Sequence, residues 1–475
     1  MIDSSKKMIN WGIVLFFVFL FGFIPPFGAM TQEGMRILGI FIGAVYGWST
    51  LSILEVTIVA MVGYGMTVGF STFVAASFGN PMIAMMIMFF PVCGMLNHYG
   101  VLQVLAQKFI TMKFCERKPW RICFMVMLTT FICAPINGPV IAILMMVFVG
   151  NICKVANIKT PSPLSVALAI GVALGCMCGQ MIIPIFGAPL VLLAALAAMT
   201  GVTVNYALYM LLIIPCGLLV LLTFTLCMRY VLKIDASSLE CVTAETLGGK
   251  ASFTKDQKKA LIAMGLLLLG MVVNSILPAG SAAQAFITGK LGTFGIPATG
   301  IALLLFVKNE EGKPLFNFAQ FARDGFAWEP FFLAAFIVPF ATYMTGGTTG
   351  IPQTITSLMG PLMGLSPMAF SILALAFVCI VTNFAQNTVV CIMCLPFFMA
   401  YGASVGMEMT GIYMLMFLIA QIAILSPGSS TMCGIIYSTK ELVDVSMVSK
   451  MAVRVLPFLF AVVMIVGMPL TMLLW

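Results

Sequence analysis

The chain has 475 residues, 62% of them hydrophobic and 8% charged, with a formal net charge of +8 and a mean hydropathy of +1.14. Soluble proteins carry about 25% charged residues, so a water-soluble globule is excluded. The basic surplus is no nucleic-acid signal either, because Lys and Arg are confined to gaps between apolar runs.

Uncharged stretches at 11–31, 122–153 and 160–228 stand against a requirement of about 20 apolar residues per bilayer span. The expected class is an all-α polytopic membrane protein. At the N-terminus Lys6 and Lys7 precede an apolar run with no small-residue cleavage site. Residues 1–33 therefore read as a retained first transmembrane helix rather than a signal peptide. The basic gaps read as cytoplasmic by the positive-inside rule, which puts the N-terminus inside. Spans follow at about 11–29, 34–48, 51–70 and 80–100.

The stretch 122–153 does not fit a single span. Lys108, Lys113, Arg117, Lys118 and Arg121 precede it, and Lys154 and Lys159 follow, so both flanks are cytoplasmic. Its 32 residues (122 through 153) fall short of the roughly 40 that two spans need. It is expected to enter and return as an inner re-entrant hairpin, broken at Ala134, Pro135, Ile136, Asn137, Gly138 and Pro139. A broken helix at about 163–197 follows, interrupted around Gly175, Gly179, Gln180, Pro184, Gly187 and Pro189. Then come a span near 206–230, a cytoplasmic loop at 233–258, and spans near 260–277 and 285–307. After the basic loop at 308–323 a span runs outward from about 328 to 346.

Residues 347–407 hold no Lys, Arg, Asp or Glu, and the next basic residue is Lys440. This segment is expected to hold an outer hairpin at about 366–401, broken by Thr382, Asn383, Gln386, Asn387 and Thr388. A second broken helix at about 408–439 carries Gln421, Ser426, Pro427, Gly428, Ser429 and Ser430. The last span leaves the C-terminus outside. The organisation predicted is an inverted repeat, 34–232 and 259–475, with about 11 transmembrane helices plus two re-entrant hairpins.

Isolated polar residues receive plainer readings. The 14 Cys lie mostly in apolar runs and behave as small hydrophobes; the Cys391/Cys394 pair reads as helix packing. The one His, His98, reads as interfacial. Glu55 and Glu329, carboxylates within apolar sequence, are candidates for function, with an interfacial place at a helix end the better reading of each. No His/Asp/Glu cluster and no activated Ser or Cys points to an enzyme. Mirrored breaks at membrane depth are another matter. Unpaired backbone is tolerated there only when buried in protein or lining a watery cavity, and such breaks build substrate sites in secondary transporters.

The string Thr382-Asn383-Phe384-Ala385-Gln386-Asn387-Thr388, followed by Leu395-Pro396, resembles the second hairpin of the divalent anion/sodium symporter family of the ion transporter superfamily. The segment from Phe73 through Phe78-Gly79-Asn80-Pro81 to Gly100, and Trp328 after its basic loop, are similar to other parts of that family. The resemblance implies substrate contacts at Asn137, Gly138, Gln386, Asn387, Thr388 and Pro427. It implies sodium ligands at Ile136, Asn137 and Gly179 in a first site, and at Thr382, Ala385, Asn387, Leu425 and Ser426 in a second. Gly179 would face Asn137. The chain departs from the family where its Ser-Asn-Thr tips read Ile136-Asn137-Gly138 and Gln386-Asn387-Thr388, and where its broken helices lack a Thr-Pro-Pro-Asn string.

The expectation is a secondary active transporter of small anions, di- or tricarboxylates first. It would work by sodium-coupled symport or anion exchange, through an elevator motion in a homodimer. The scaffold would comprise the first three spans and those near 206–230, 260–277 and 285–307. The alternatives are a carrier of an inorganic oxyanion (sulfate or arsenite-like) and a passive anion channel. The partners expected are a small anionic substrate, the lipid bilayer of the cell inner membrane and sodium as coupling ion, with no other cofactor and no nucleic acid.

Overall fold

The computed structural model describes residues 4–475 apart from positions 115, 186, 244, 248, 250, 279, 346 and 347. Among the described residues the chain is helical, with one isolated bridge, Lys308 to Pro314, and no strand. In order the helices are α1 (Ser4–Leu15), α2 (Gln32–Thr50), α3 (Ile53–Val68), α4 (Phe70–Ser77), α5 (Pro81–His98), α6 (Val101–Ile110), α7 (Pro119–Val155), α8 (Pro163–Gln180), α9 (Gly187–Thr200), α10 (Tyr206–Leu226) and α11 (Lys255–Ile276). They continue as α12 (Ala282–Phe286), α13 (Gly292–Leu304), α14 (Phe318–Gly325), α15 (Trp328–Thr345), α16 (Ile351–Leu358), α17 (Gly360–Met363), α18 (Pro367–Val381), α19 (Asn387–Val405), α20 (Thr410–Ile419), α21 (Thr431–Ser438) and α22 (Val445–Leu474). Eight of the described helical stretches are long and apolar enough to cross a membrane, and the chain is a multi-pass membrane protein.

Helix starts follow local chemistry. Short polar side chains accept the orphan amides of a first turn: Ser162 with a reciprocal Ser165 begins α8, and Asn205 begins α10. Thr254 with Gln257 begins α11, and Asp444 begins α22.

Helix α7 is a hairpin. Straight, its 37 residues would span about 55 Å. Yet Arg117, just before it, donates its amide to Val242 O at 3.4 Å, while Val155 at its far end accepts from Cys241 Sγ at 3.6 Å. Both ends therefore meet the same short segment. The chain reverses at Asn137, whose φ of −161° and ψ of 95° break the helix between Pro135 and Pro139. The second hairpin pairs α18 with α19: Phe370 stacks on Tyr401 at 3.7 Å, and the Tyr401 hydroxyl donates to Leu365 O at 2.7 Å.

Each hairpin is followed by an interrupted helix. In the first repeat α8 stops at Gln180 and α9 starts at Gly187; in the second α20 stops at Ile419 and α21 starts at Thr431. Helix α8 lies against the first arm of α7 through Gly171, Gly175 and Gly179. A Cβ on any of these would run into Met127, Thr130 or the Phe131 backbone. Small residues four apart let two apolar helices approach closely.

The span near 206–230, α10, packs on α7, α8, α20 and α22, and also touches α11. Gly217 admits the Phe131 ring, and the Tyr209 hydroxyl donates to Met181 O at 2.7 Å in the first break. Helices α2, α3 and α5 pack with α15, and α5 with α11, α13 and α14. Helix α15 also leans on α9, so it joins the two groups.

The basic loops gather at one end of the molecule. Besides the contacts of Arg117 and Val155, the Arg229 guanidinium sits 5.7 Å from the Trp120 ring, Gln107 Nε2 donates to Gly249 O, and Ser165 Oγ donates to Leu442 O.

Candidate functional site

The two hairpin tips, both helix breaks and the start of α15 enclose one cavity of about 340 Å³. The first tip contributes Ala134 through Pro139 and the second Gln386, Asn387 and Thr388. Gln180, Gly187 and Ala188 come from the first break, Gln421, Ser430, Thr431 and Met432 from the second, and Trp328 and Glu329 from α15.

Four helix N-termini besides that of α15 converge on this space. The second arm of α7 starts there, with the Val140 amide on Asn137 Oδ1 at 3.2 Å. Helix α19 starts there, with the Val389 amide on Gln386 Oε1 at 2.9 Å. Helix α21 starts there, with the Cys433 amide on Ser430 Oγ at 3.1 Å, and α9 starts at the lining residue Gly187. An N-terminus carries the positive end of the helix dipole and free amides. Glu329 is the one charged side chain among the described lining residues. It sits in the first turn of α15, where an acidic group complements that helix's own dipole. The cavity thus presents amides and helix ends, with no Lys or Arg among its described lining residues.

The two repeats differ in how their polar groups are used. At the second tip, Asn387 Nδ2 donates to Gln421 Oε1 at 2.7 Å and Asn387 Oδ1 accepts the Thr388 amide at 2.8 Å. Gln421 Nε2 in turn donates to Phe417 O at 3.3 Å. Asn383, 2% exposed, staples the tip to the break: its Oδ1 accepts the Ile424 and Leu425 amides, both at 3.0 Å. Its Nδ2 donates to Cys379 O at 2.7 Å and to Ile422 O at 3.3 Å. At the first tip the corresponding pair is Asn137 and Gln180. Gln180 lies against the tip, so that a Cβ on Gly138 would stand 2.9 Å from its Cδ. Its amide and the Nδ2 of Asn137 face the cavity with no partner among the described residues.

The residues expected from sequence are therefore divided. Ile136, Asn137, Gly138, Gln386, Asn387 and Thr388 line the cavity together. Gly179 is not among the residues lining the cavity; a Cβ there would run into the Phe131 backbone, as it continues the glycine stripe of α8. Thr382 is buried and donates to Ala420 O at 2.8 Å, and Ala385 is half-buried beside it. Leu425, Ser426 and Pro427 do not reach the cavity wall. The Ser429 hydroxyl, on Ala423 O and Ser426 O, curls the break so that Pro427 points away and is exposed. Leu425 O already accepts the Tyr437 hydroxyl at 2.7 Å. Gln180, Gln421 and Glu329 line the cavity and Asn383 supports it, although none of the four was expected as a site residue. Gln180, Gln421 and Asn383 were visible as polar interruptions of apolar helices; Glu329, next to Trp328, read as an interfacial residue.

Two hairpins whose tips line one cavity, each followed by an interrupted helix, are an arrangement that suits a secondary transporter. The chain belongs to the citrate transporter family (CitMHS), whose model matches residues 44–420, and so to the carriers of carboxylates and related anions. No curated protein matches it significantly in sequence. Among solved structures it is similar to the YdaH transporter of Alcanivorax borkumensis, with 13% identity and a TM-score of 0.55 over 92% of this chain and 97% of that one. At that identity the likeness speaks for the fold.

Proposed function

We propose that this protein is a cation-coupled carrier of a small polycarboxylate of the citrate type, sodium being the coupling ion and the motion elevator-like. The observation that carries the reading is the shared cavity: two tips, four helix N-termini and free amides of Asn137 and Gln180, with Glu329 as the only charge among the described lining residues. Charge-assisted hydrogen bonds from amides hold carboxylates well and leave no fixed cation to trap the cargo. The cargo's negative charge then lacks a counter-ion, and Glu329 adds to the deficit; a co-transported cation supplies it. Oxygen ligands for that ion are concentrated at the second tip, around Thr382, Ala385 and Asn387. The first tip, Ile136-Asn137-Gly138, offers no hydroxyl.

In this reading α7 to α10 and α18 to α22 move as one body past α2, α3, α5, α11 and α13, in a homodimer. The protein sits in the cell inner membrane with its N-terminus in the cytoplasm and its C-terminus outside. The test is uptake of labelled citrate into proteoliposomes. A carrier gives saturable uptake driven by an inward sodium gradient. Non-saturating flux indifferent to the gradient would refute it in favour of a channel, and sulfate competing better than citrate would reassign the cargo to inorganic oxyanions.

A further inference from the structure

A second concavity, of about 350 Å³, lies at the end where the basic loops gather, between the exit of α10 and the first turns of α22. Its polar wall holds Lys233, Lys450 and Arg454, with Asp235 as the only acid among the described lining residues; Leu232, Met447 and Met451 supply an apolar floor. All three cations are exposed, and none has an ion-pair partner among the described residues. The Asp235 carboxylate is occupied by the Ser237 amide at 2.9 Å. Lys450 and Arg454, four apart on one helix, repel each other, and Lys233 joins them from another element. Pro163, the first residue of the 18-residue α8, also stands on the rim, adding the positive end of that helix.

We infer that this is a binding site for the headgroup of an anionic phospholipid. Charge alone would admit any phosphate; the flanks select the lipid. Next to the cations, the ends of α10 and α22 present bare apolar side chains: Leu222, Leu226 and Tyr230 on one side, Val453 and Phe458 on the other. A headgroup held by the three cations has its acyl chains against these faces, whereas a free anion gains nothing from them. Basic pockets between transmembrane helices on the cytoplasmic side take anionic headgroups by this chemistry. The bound lipid bridges α10 to α22 and relieves the repulsion among the three cations.

The test uses the full chain purified in a neutral detergent, with phosphatidylglycerol as probe and phosphatidylcholine as control. Native mass spectrometry counts bound lipid, and thermal melting reads stabilisation. Wild type is expected to keep a phosphatidylglycerol adduct and to melt higher with that lipid than with the control. The triple change Lys233→Ala, Lys450→Ala, Arg454→Ala, all surface positions, is expected to weaken the adduct about 100-fold, near fivefold per cation. A second variant removes three exposed lysines elsewhere, Lys113→Ala, Lys258→Ala and Lys440→Ala, and is expected to bind like wild type. Equal loss in both variants, or an adduct unchanged in the first, overturns the site. Stabilisation by inorganic phosphate alone equal to that by the lipid overturns the lipid assignment.

Discussion

Replacing Gln180 and replacing Gln421 should have opposite consequences, although the two residues occupy corresponding places in the repeats. Gln421 is 1% exposed and is spent inside the protein, on Asn387 Nδ2 at 2.7 Å and Phe417 O at 3.3 Å. In Gln421→Ala the buried Asn387 amide loses its acceptor, which costs about 1–3 kcal/mol, and the vacated side-chain volume adds to the loss. Gln180 makes no such bond among the described residues and faces the cavity. Gln180→Ala should therefore leave the melting temperature near wild type. A hydrogen bond to a charged group is worth about 1.5–3 kcal/mol, and each 1.4 kcal/mol is tenfold in affinity, so citrate binding should weaken about 10- to 100-fold. Differential scanning fluorimetry of the purified variants, with and without citrate, measures both quantities. If Gln180→Ala binds citrate like wild type, or if it melts as early as Gln421→Ala, the division of labour between the two glutamines is wrong.

Asn383→Ala should be among the most damaging single changes at the second tip. It orphans the Ile424 and Leu425 amides at about 1–3 kcal/mol each, and early melting together with poor recovery from the membrane would register it. Gly179→Ala should separate α8 from the first arm of α7, because its Cβ meets the Phe131 backbone; a melting temperature unchanged in that variant would contradict the close approach. Asn387→Ala should abolish uptake, and measurable citrate-driven counterflow in that variant would remove it from the site. With sodium ligands concentrated at one tip, uptake should rise hyperbolically with sodium; a sigmoidal rise would demand a second site.

Much of this architecture was legible from charge placement. Basic residues on both sides of 122–153, and the absence of charge across 347–407, force a returning chain whatever the packing, and both hairpins stand where that logic put them. Asn137 and Asn387 were legible for the same reason, as polar residues at the turning points. What escaped is what depends on tertiary contact. Nothing in the run of apolar residues at 206–226 says that Gly217 receives Phe131. Gln180 and Gln421 look alike in sequence, and only the bond to Asn387 separates a structural glutamine from a free one. Glu329 beside Trp328 has the pattern of an interfacial anchor, and its place on the cavity wall comes from the packing of α15 against both groups of helices. The break at 420–430 was predicted, but its curl, set by Ser429, turns Pro427 outward and presents Ser430 and Thr431 instead.

In the proposed mechanism the two tips jointly bind one carboxylate anion for coupled transport. Citrate accumulation in proteoliposomes under an inward sodium gradient, compared among wild type, Asn137→Ala and Asn387→Ala, tests it most directly. Saturable accumulation above the external concentration is expected in wild type, and its loss in each variant. Accumulation retained when either asparagine is removed, or flux in wild type that never saturates, would contradict it.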